Sequence, residues 1–355
     1  MEDVGFATSA LADWLAQYLG RPVPQLHLRA TDGGMSNPTF FLTAGNFRAV
    51  LRKQPAMKLA KSAHAIDREF RVIGALAKSS VPVPKLYHYE ADATVIGTPF
   101  YLMEWVQGRV FADYALPDIP AAERSAYYTA MSTTLAAIHR LNPSEIGLSD
   151  YGREGNYFRR QLSRWSQLWD SYKTGNMAPE DVTETIDKLI AWLEPKVPDS
   201  TLLRLCHGDF RIGNVMFHPS EPRVIAVLDW ELSTLGHPLV DLAFNTQAWH
   251  LPPNANGGIA GLDLDALGLP QEADYLAGYT AQIDFDEPLT DVHRAFAMFR
   301  GAVGSAGVAI RGAMGNSTLP DSVAVGWHLA RAYATGGLGF LSENTAALDD
   351  ERTTQ

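Results

Sequence analysis

The sequence predicts an α+β chain of two unequal lobes, a small antiparallel-sheet lobe first and a larger, mainly helical lobe after it. Two observations carry this. Up to about residue 106 the chain is built from short runs rich in β-branched and aromatic residues, separated by turn residues, as half-buried strands are. Beyond that point long segments repeat apolar residues at helical spacing, and only the stretch 207–229 breaks them with short strands. The division falls at 1–106 and 107–355, with a hinge at about 104–108. A chain of 355 residues is long enough for both lobes.

The elements follow in order. Ser9 can cap a first helix whose apolar face is Leu11, Trp14, Leu15, Tyr18 and Leu19, and Gly20 ends it. Residues 25–30, 38–44 and 47–53 read as strands, with the turn-rich run 31–37 between the first two. A helix over 63–77 places Ile66, Phe70, Ile73, Leu76 and Ala77 on one face. Val81-Pro82-Val83-Pro84 stops it, and extended runs over 85–89 and 99–106 complete the sheet. Helices are then expected over 121–140, 157–173, 180–193, 291–313 and 323–341, with a loop at 254–261.

Composition narrows the function. With 46% hydrophobic and 19% charged residues the chain is globular, not disordered. A net charge of −11 argues against a partner bound through phosphate neutralisation, so no nucleic acid is expected, and against a basic membrane-facing surface. The single cysteine, Cys206, cannot form an internal disulfide and sits in an apolar run as a small core residue. The start Met1-Glu2-Asp3-Val4 lacks the basic and apolar regions of a signal peptide, and no apolar run approaches a membrane span. These features point to a cytoplasmic protein; none fixes an oligomeric state.

The chemistry is concentrated in His207-Gly208-Asp209-Phe210-Arg211-Ile212-Gly213-Asn214, followed by the apolar run 224–228 and Asp229. Phosphoryl transfer asks a protein for an oriented hydroxyl and hard oxygen ligands for Mg²⁺ around the migrating charge. Asp209 is the candidate base for the hydroxyl proton. Asn214, five residues on, can present an amide oxygen to the metal, and a buried strand delivers the Asp229 carboxylate as a second ligand. Singly, each residue also fits a turn or a cap. In this order, with His207 and Gly208, they favour the kinase reading. His207 reads as a hydrogen-bonding brace of the loop rather than a base.

This motif, with Asp229-Trp230-Glu231, resembles the aminoglycoside phosphotransferase and choline kinase-like family, small-molecule kinases with a protein-kinase-like bilobal fold. More particularly, residues 50–53, 62–70 and 229–238 resemble the kinase-like domains fused to some acyl-CoA dehydrogenases and their free-standing bacterial relatives. The resemblance spans roughly residues 25–340. It implies that Arg52 on a strand pairs with Glu69 on a helix beside the nucleotide phosphates. Strand alternation lets only one of Arg52 and Lys53 face that way. It further implies that the turn 33–37 lies over the phosphates with Ser36 and Asn37 as donors, although a plain hairpin turn fits equally well. Adenine would meet the main chain of Glu104 and Val106, with Met103 lining the pocket. Asp241 is implied as a brace of the catalytic loop, and Glu231 as a residue near a second metal. ATP is the expected donor, GTP fits the same residues, and Mg²⁺ is the expected metal.

The acceptor is a small-molecule hydroxyl. Net acidity and the run 284–287 fit a polycationic aminoglycoside or amino-sugar. Arg153, Arg159, Arg160 and Arg164, with Arg300 and Arg311 on a later helix, fit an anionic acceptor, and solvated surface faces would also account for them. The acyl-CoA-dehydrogenase resemblance implies a hydroxyacyl-CoA, with Tyr157, Phe158, Trp165 and Trp169 as channel or packing residues. A silent nucleotide-binding pseudokinase is the remaining reading, opposed by the intact Asp209, Asn214 and Asp229.

Overall fold

The computed structural model describes residues 5–31, 37–55, 66–153, 155–175, 177–315 and 321–341. The chain forms two compact units. The first holds Met1–Arg109 with Met216–Ser220 and Ile225–Ser233, and the second holds Val110–Val215, Glu221–Val224 and Thr234–Gln355. A single cut at 104–108 does not anticipate the two short returns to the first unit.

In the first unit, α1 (Thr8–Leu19) buries Leu11 and Leu15, one turn apart, and Gly20 ends it in the left-handed region at φ 63°. Ala7 stands at the cap position, not Ser9. The strands are β1 (His27–Ala30), β2 (Thr39–Ala44), β3 (Phe47–Lys53), β4 (Leu86–Glu90) and β5 (Phe100–Met103). They form one sheet in the order β1-β2-β3-β5-β4, with every neighbour antiparallel. Alternation on β2 sends Phe40, Leu42 and Ala44 into a core shared with Leu11, Leu15, Leu51, Phe100 and Leu102. The middle strand β3 is buried on both faces over Ala49–Lys53, because α2 (Ile66–Leu76) packs on the same unit. Residues 63–65 of the expected helix lie outside the described residues.

The return to this unit is a hairpin of β7 (Val215–Phe217) and β8 (Val224–Val227). Arg109 and Phe217 exchange both main-chain bonds at 2.8 Å, and Val227 donates to Pro82 O at 2.8 Å. A Cβ on Gly108 would stand 2.5 Å from the Met216 side chain and from Phe217 O, so the crossing admits only glycine.

The second unit contains α3 (Ala121–His139), α4 (Tyr157–Lys173), α5 (Glu180–Leu193), α6 (Pro238–Asn245), α7 (Leu264–Leu267), α8 (Glu272–Thr280), α9 (Asp291–Ala313) and α10 (Ser322–Gly339). A small ribbon pairs β6 (Arg204–Cys206) with β9 (Thr234–Gly236). The core centres on α9, whose Ala295, Phe296, Phe299, Ala302, Val303 and Ala306 are fully buried between α4, α5, α6 and α10. Gly326 lets α10 approach α9 closely, since a Cβ there would lie 2.4 Å from Ala309 N. No helix among the described residues is long and apolar enough to cross a membrane.

Two buried histidines tie this packing to pH. His293 Nδ1 accepts the Thr290 N–H at the start of α9 at 3.2 Å, and its ring stacks on His237 at 5.7 Å. Burial, with the neighbouring His237 and Arg294, pushes His293 down to about 3, and burial also lowers His237. The unfolded chain therefore takes up these protons first, from about pH 6.5 downward. Stability is complete above that pH and falls as pH drops toward the folded values. Urea unfolding between pH 6.5 and 5 is expected to lose up to about 1.4 kcal/mol per pH unit for each histidine. His293→Gln should flatten that slope by one histidine's share, and an unchanged slope would remove His293 from the account.

Candidate active site

In the first unit Arg52 gathers three carboxylates. Its place on β3 sends it to the α2 side, and it is 8% exposed. Nε reaches Glu69 Oε2 at 2.8 Å, and Nη2 reaches Asp229 Oδ1 at 2.6 Å and Glu231 Oε2 at 3.5 Å. Burial works against its charge, but Glu69, Asp229 and Glu231 outweigh it and hold the guanidinium well above its ordinary value. Burial pushes the Glu69 carboxyl up, and Arg52 pulls against that shift. Lys53 takes the opposite face, over the Phe6 ring at 5.4 Å, with its ammonium lowered by burial. Only Arg52 of the basic pair meets the acidic group.

Asp229 ends the strand-turn return at φ 65°, ψ 60°, a left-handed conformation that Asp tolerates better than most side chains. Its carboxylate is 35% exposed while its backbone is pinned beside Arg52. Glu231, two residues on, also accepts from Asn37 Nδ2 at 3.2 Å. Asn37 is buried, so its amide donor is committed inside the unit, a placement the turn reading of 33–37 did not anticipate. Gly33, Gly34, Met35 and Ser36 lie outside the described residues.

Met103 ends β5 between Val50 and Leu86. The Glu104 N–H donates to Lys85 O at 2.8 Å, and Glu104 Oε2 accepts the Lys85 N–H at 3.2 Å. The main-chain group of Glu104 suited to a base edge is therefore its carbonyl. Trp105 stacks against Phe41 at 4.4 Å under Arg48, which fixes the extended stretch that carries Val106.

In the second unit the loop 207–214 is held from several sides. Asp241, buried on α6, accepts the N–H groups of His207 and Gly208, the latter at 2.9 Å. Burial alone would raise the Asp241 carboxyl, but the bond and charge of His139, the charge of His207 and the Gly208 N–H bring it below the usual range. Gly208 takes φ 84°, the bend that lets both N–H groups reach one carboxylate. Asn245 Nδ2 donates to Phe210 O at 3.2 Å, and the Ile212 N–H donates to Tyr114 Oη at 3.2 Å. Cys206 is buried beside Asp241 and His139, and burial pushes its thiol well up, as suits packing.

That scaffold fixes Asp209. Asn214 Nδ2 donates to Asp209 O at 2.9 Å and to Asp209 Oδ2 at 2.8 Å. Arg211 Nε reaches the same Oδ2 at 3.4 Å. Both contacts hold Asp209 Oδ2, and with the Asn214 amide nitrogen committed, its Oδ1 is the atom that could meet a metal. An amide oxygen is a hard donor of the kind Mg²⁺ prefers.

The arginine cluster resolves differently. Arg160 directs both Nη atoms to the main chain, at Gly155 O and Arg153 O, while Arg153, Arg159 and Arg164 are exposed. Tyr157, Phe158 and Trp169 are core residues, and Trp165 is half-buried. Arg211 was missed although it stands inside the motif, because a contact between residues two apart depends on the local bend.

A strand arginine bonded to a helix glutamate, and a loop carboxylate clamped by the asparagine five residues on, are the arrangement that the kinase resemblance leads one to expect. The family model described as "Phosphotransferase enzyme family" matches residues 27–279, and the chain belongs to that family. It is 41% identical over 293 residues to mouse acyl-CoA dehydrogenase family member 11, covering 81% of this chain and 37% of that protein. It is 38% identical over 324 residues to an Arabidopsis thaliana probable acyl-CoA dehydrogenase, IBR3, covering 87% of this chain and 39% of that one. The chain spans well under half the length of these curated relatives. A crystal structure from Ralstonia eutropha, provisionally described as an aminoglycoside phosphotransferase, superposes with a TM-score of 0.81 at 40% identity over 94% of this chain and 98% of that one. Aminoglycoside phosphotransferase APH(4)-Ia, as a thermostable mutant with AMP-PNP and hygromycin B, shares the fold at a TM-score of 0.61 and 18% identity, over 94% and 100% of the two chains.

Proposed function

We propose that this kinase transfers the γ-phosphate of ATP to the hydroxyl of a hydroxyacyl-CoA, with Mg²⁺ required. The observation that carries the reaction is the clamp of Asn214 on Asp209, which supports a carboxylate oriented to take a hydroxyl proton. Arg52 with Glu69 would secure the phosphates, Met103 and the main chain of Glu104 and Val106 would receive adenine, and Asn214 with Asp229 would hold the metal. A metal there neutralises charge developing on the phosphoryl oxygens. The acyl acceptor is supported by the relatives named for acyl-CoA dehydrogenases. ATP as donor suits a cytoplasmic site of action. An aminoglycoside acceptor is the second reading, supported by the description of the Ralstonia protein.

ADP release measured across hydroxyacyl-CoAs, aminoglycosides, amino-sugars and choline-like alcohols, with ATP and GTP compared, tests this. Turnover is expected with hydroxyacyl-CoAs, to stop with EDTA and to return with excess Mg²⁺. Faster turnover of an aminoglycoside would replace the acceptor. No nucleotide consumption with any acceptor would make the protein a silent nucleotide binder.

A further inference from the structure

A charged side chain of the second unit has donors that no described residue satisfies. Arg300, on α9, is 9% exposed. Its Nη2 donates to Gly208 O at 3.3 Å, the carbonyl immediately before Asp209. Its Nε and Nη1 are buried with no hydrogen-bond partner among the described residues. The guanidinium lies 5.7 Å from the centre of the Trp165 ring, and Trp165 Nε1 is likewise buried and unpartnered. Asp241, the carboxylate of that neighbourhood, already accepts two main-chain N–H groups. Two donors on Arg300 and one on the neighbouring Trp165 are therefore buried without a hydrogen-bond partner among the described residues. A buried charge in that state is costly, and proteins retain it where a ligand completes it.

There is also room. Gly304 lies one turn beyond Arg300 on the same face of α9, and a Cβ there would meet no atom of the described residues within 4 Å. One turn further, a Cβ on Gly307 would meet Tyr172 Oη at 2.6 Å, so the open stretch is closed at that end. Trp165 and Tyr172 stand two turns apart on the facing helix α4.

We infer that Arg300 and Trp165 form the subsite for the acyl oxygen of the phosphoryl acceptor, a carboxylate or a thioester carbonyl, beside Asp209. This rests on the acyl-acceptor reading above. A donor-only site favours a carboxylate or carbonyl oxygen, whose lone pairs can meet several donors, and its positive charge repels an ammonium. Arg300 is thus a positioning and specificity residue: it fixes the acyl end so that the hydroxyl can reach Asp209. The open stretch beside Gly304 takes the aliphatic part.

The test is calorimetric binding to the full chain, which needs no turnover and so separates this inference from the reaction itself. The probes are 2-, 3- and 4-hydroxybutyrate, their CoA thioesters, hygromycin B and ADP. Arg300→Met is expected to weaken binding of the acids or the thioesters by roughly 10–100-fold, as lost charged hydrogen bonds do. Trp165→Phe, which keeps a ring and removes one donor, should weaken it by about 5-fold. ADP affinity should stay within a factor of about two, and the melting temperature of Arg300→Met should hold or rise, because an unpaired buried charge has gone. Arg300→Lys should fall between, since it keeps the charge but not the fork. Loss confined to the free acids identifies a carboxylate, and loss confined to the thioesters identifies the carbonyl. Equal acyl affinity in Arg300→Met, no acyl binding by the wild type, or a joint fall in ADP affinity and melting temperature would overturn the inference, the last by making Arg300 a brace of Gly208. If the wild type binds acyl probes in this manner but transfers no phosphate to them, the reaction reading fails and the subsite stands.

Discussion

Asp209→Asn is expected to lower phosphoryl transfer by about 10²–10⁴-fold while leaving ADP affinity within a factor of about two. The substitution keeps the shape of the side chain and an oxygen able to accept from Asn214 Nδ2, which holds Asp209 Oδ2 at 2.8 Å. The loop itself is fixed elsewhere, through Asp241 on the N–H groups of His207 and Gly208. The Asp209 charge is therefore expected to matter more for removal of a hydroxyl proton than for folding or ADP binding. Single-turnover measurement separates the chemical step from product release. A rate within about threefold of wild type would mean that Asp209 only orients the hydroxyl and that the proton leaves by another route.

The contacts of the candidate site that were legible in the sequence follow from short-range rules. Alternation along β3 divides Arg52 from Lys53, and the structure sends one to Glu69 and the other over Phe6. The five-residue step from Asp209 to Asn214 closes into a clamp through a loop the motif itself encodes. What escaped was set by packing between distant segments. Ile225–Ser233 joins the first unit through Val227 on Pro82 and through packing of its final turn on α2, and no local pattern announces either contact. Asn37 turns its amide to Glu231, 194 residues away, so the loop's composition could not reveal it. Helix α6 is buried over Pro238–Ala243 on all sides, which erases the polar face that marks a helix in sequence. The ribbon strands β6 and β9 have three residues each, too few for a period-two signal. Arg300 stood in the sequence among the arginines that fit an anionic acceptor, but the unpartnered state of its Nε and Nη1 is a property of the folded neighbourhood alone.

Arg52→Met should be the most damaging single change to the first unit, costing about 3–5 kcal/mol of stability, as breaking a buried ion pair from one side does. Glu69 is buried and shares Arg52 with Asp229 and Glu231, so the variant leaves three carboxylates facing one another without a cation. The destabilisation should be largest near neutral pH and shrink as the medium becomes acid enough to protonate those carboxylates. Adding Glu69→Met to Arg52→Met removes the most buried of the three, and should recover a substantial part of the loss, because a buried pair replaced by apolar side chains is often close to neutral. Arg52→Lys tests a different property. One ammonium can neutralise charge but cannot place Nε on Glu69 and Nη2 on Asp229 at once, so stability should be partly kept while ADP binding weakens. Chemical unfolding and ADP titration of the four proteins give the answer directly. Should Arg52→Met unfold within about 1 kcal/mol of wild type, Arg52–Glu69 would be worth no more than an exposed ion pair and the carboxylate cluster would need no central cation.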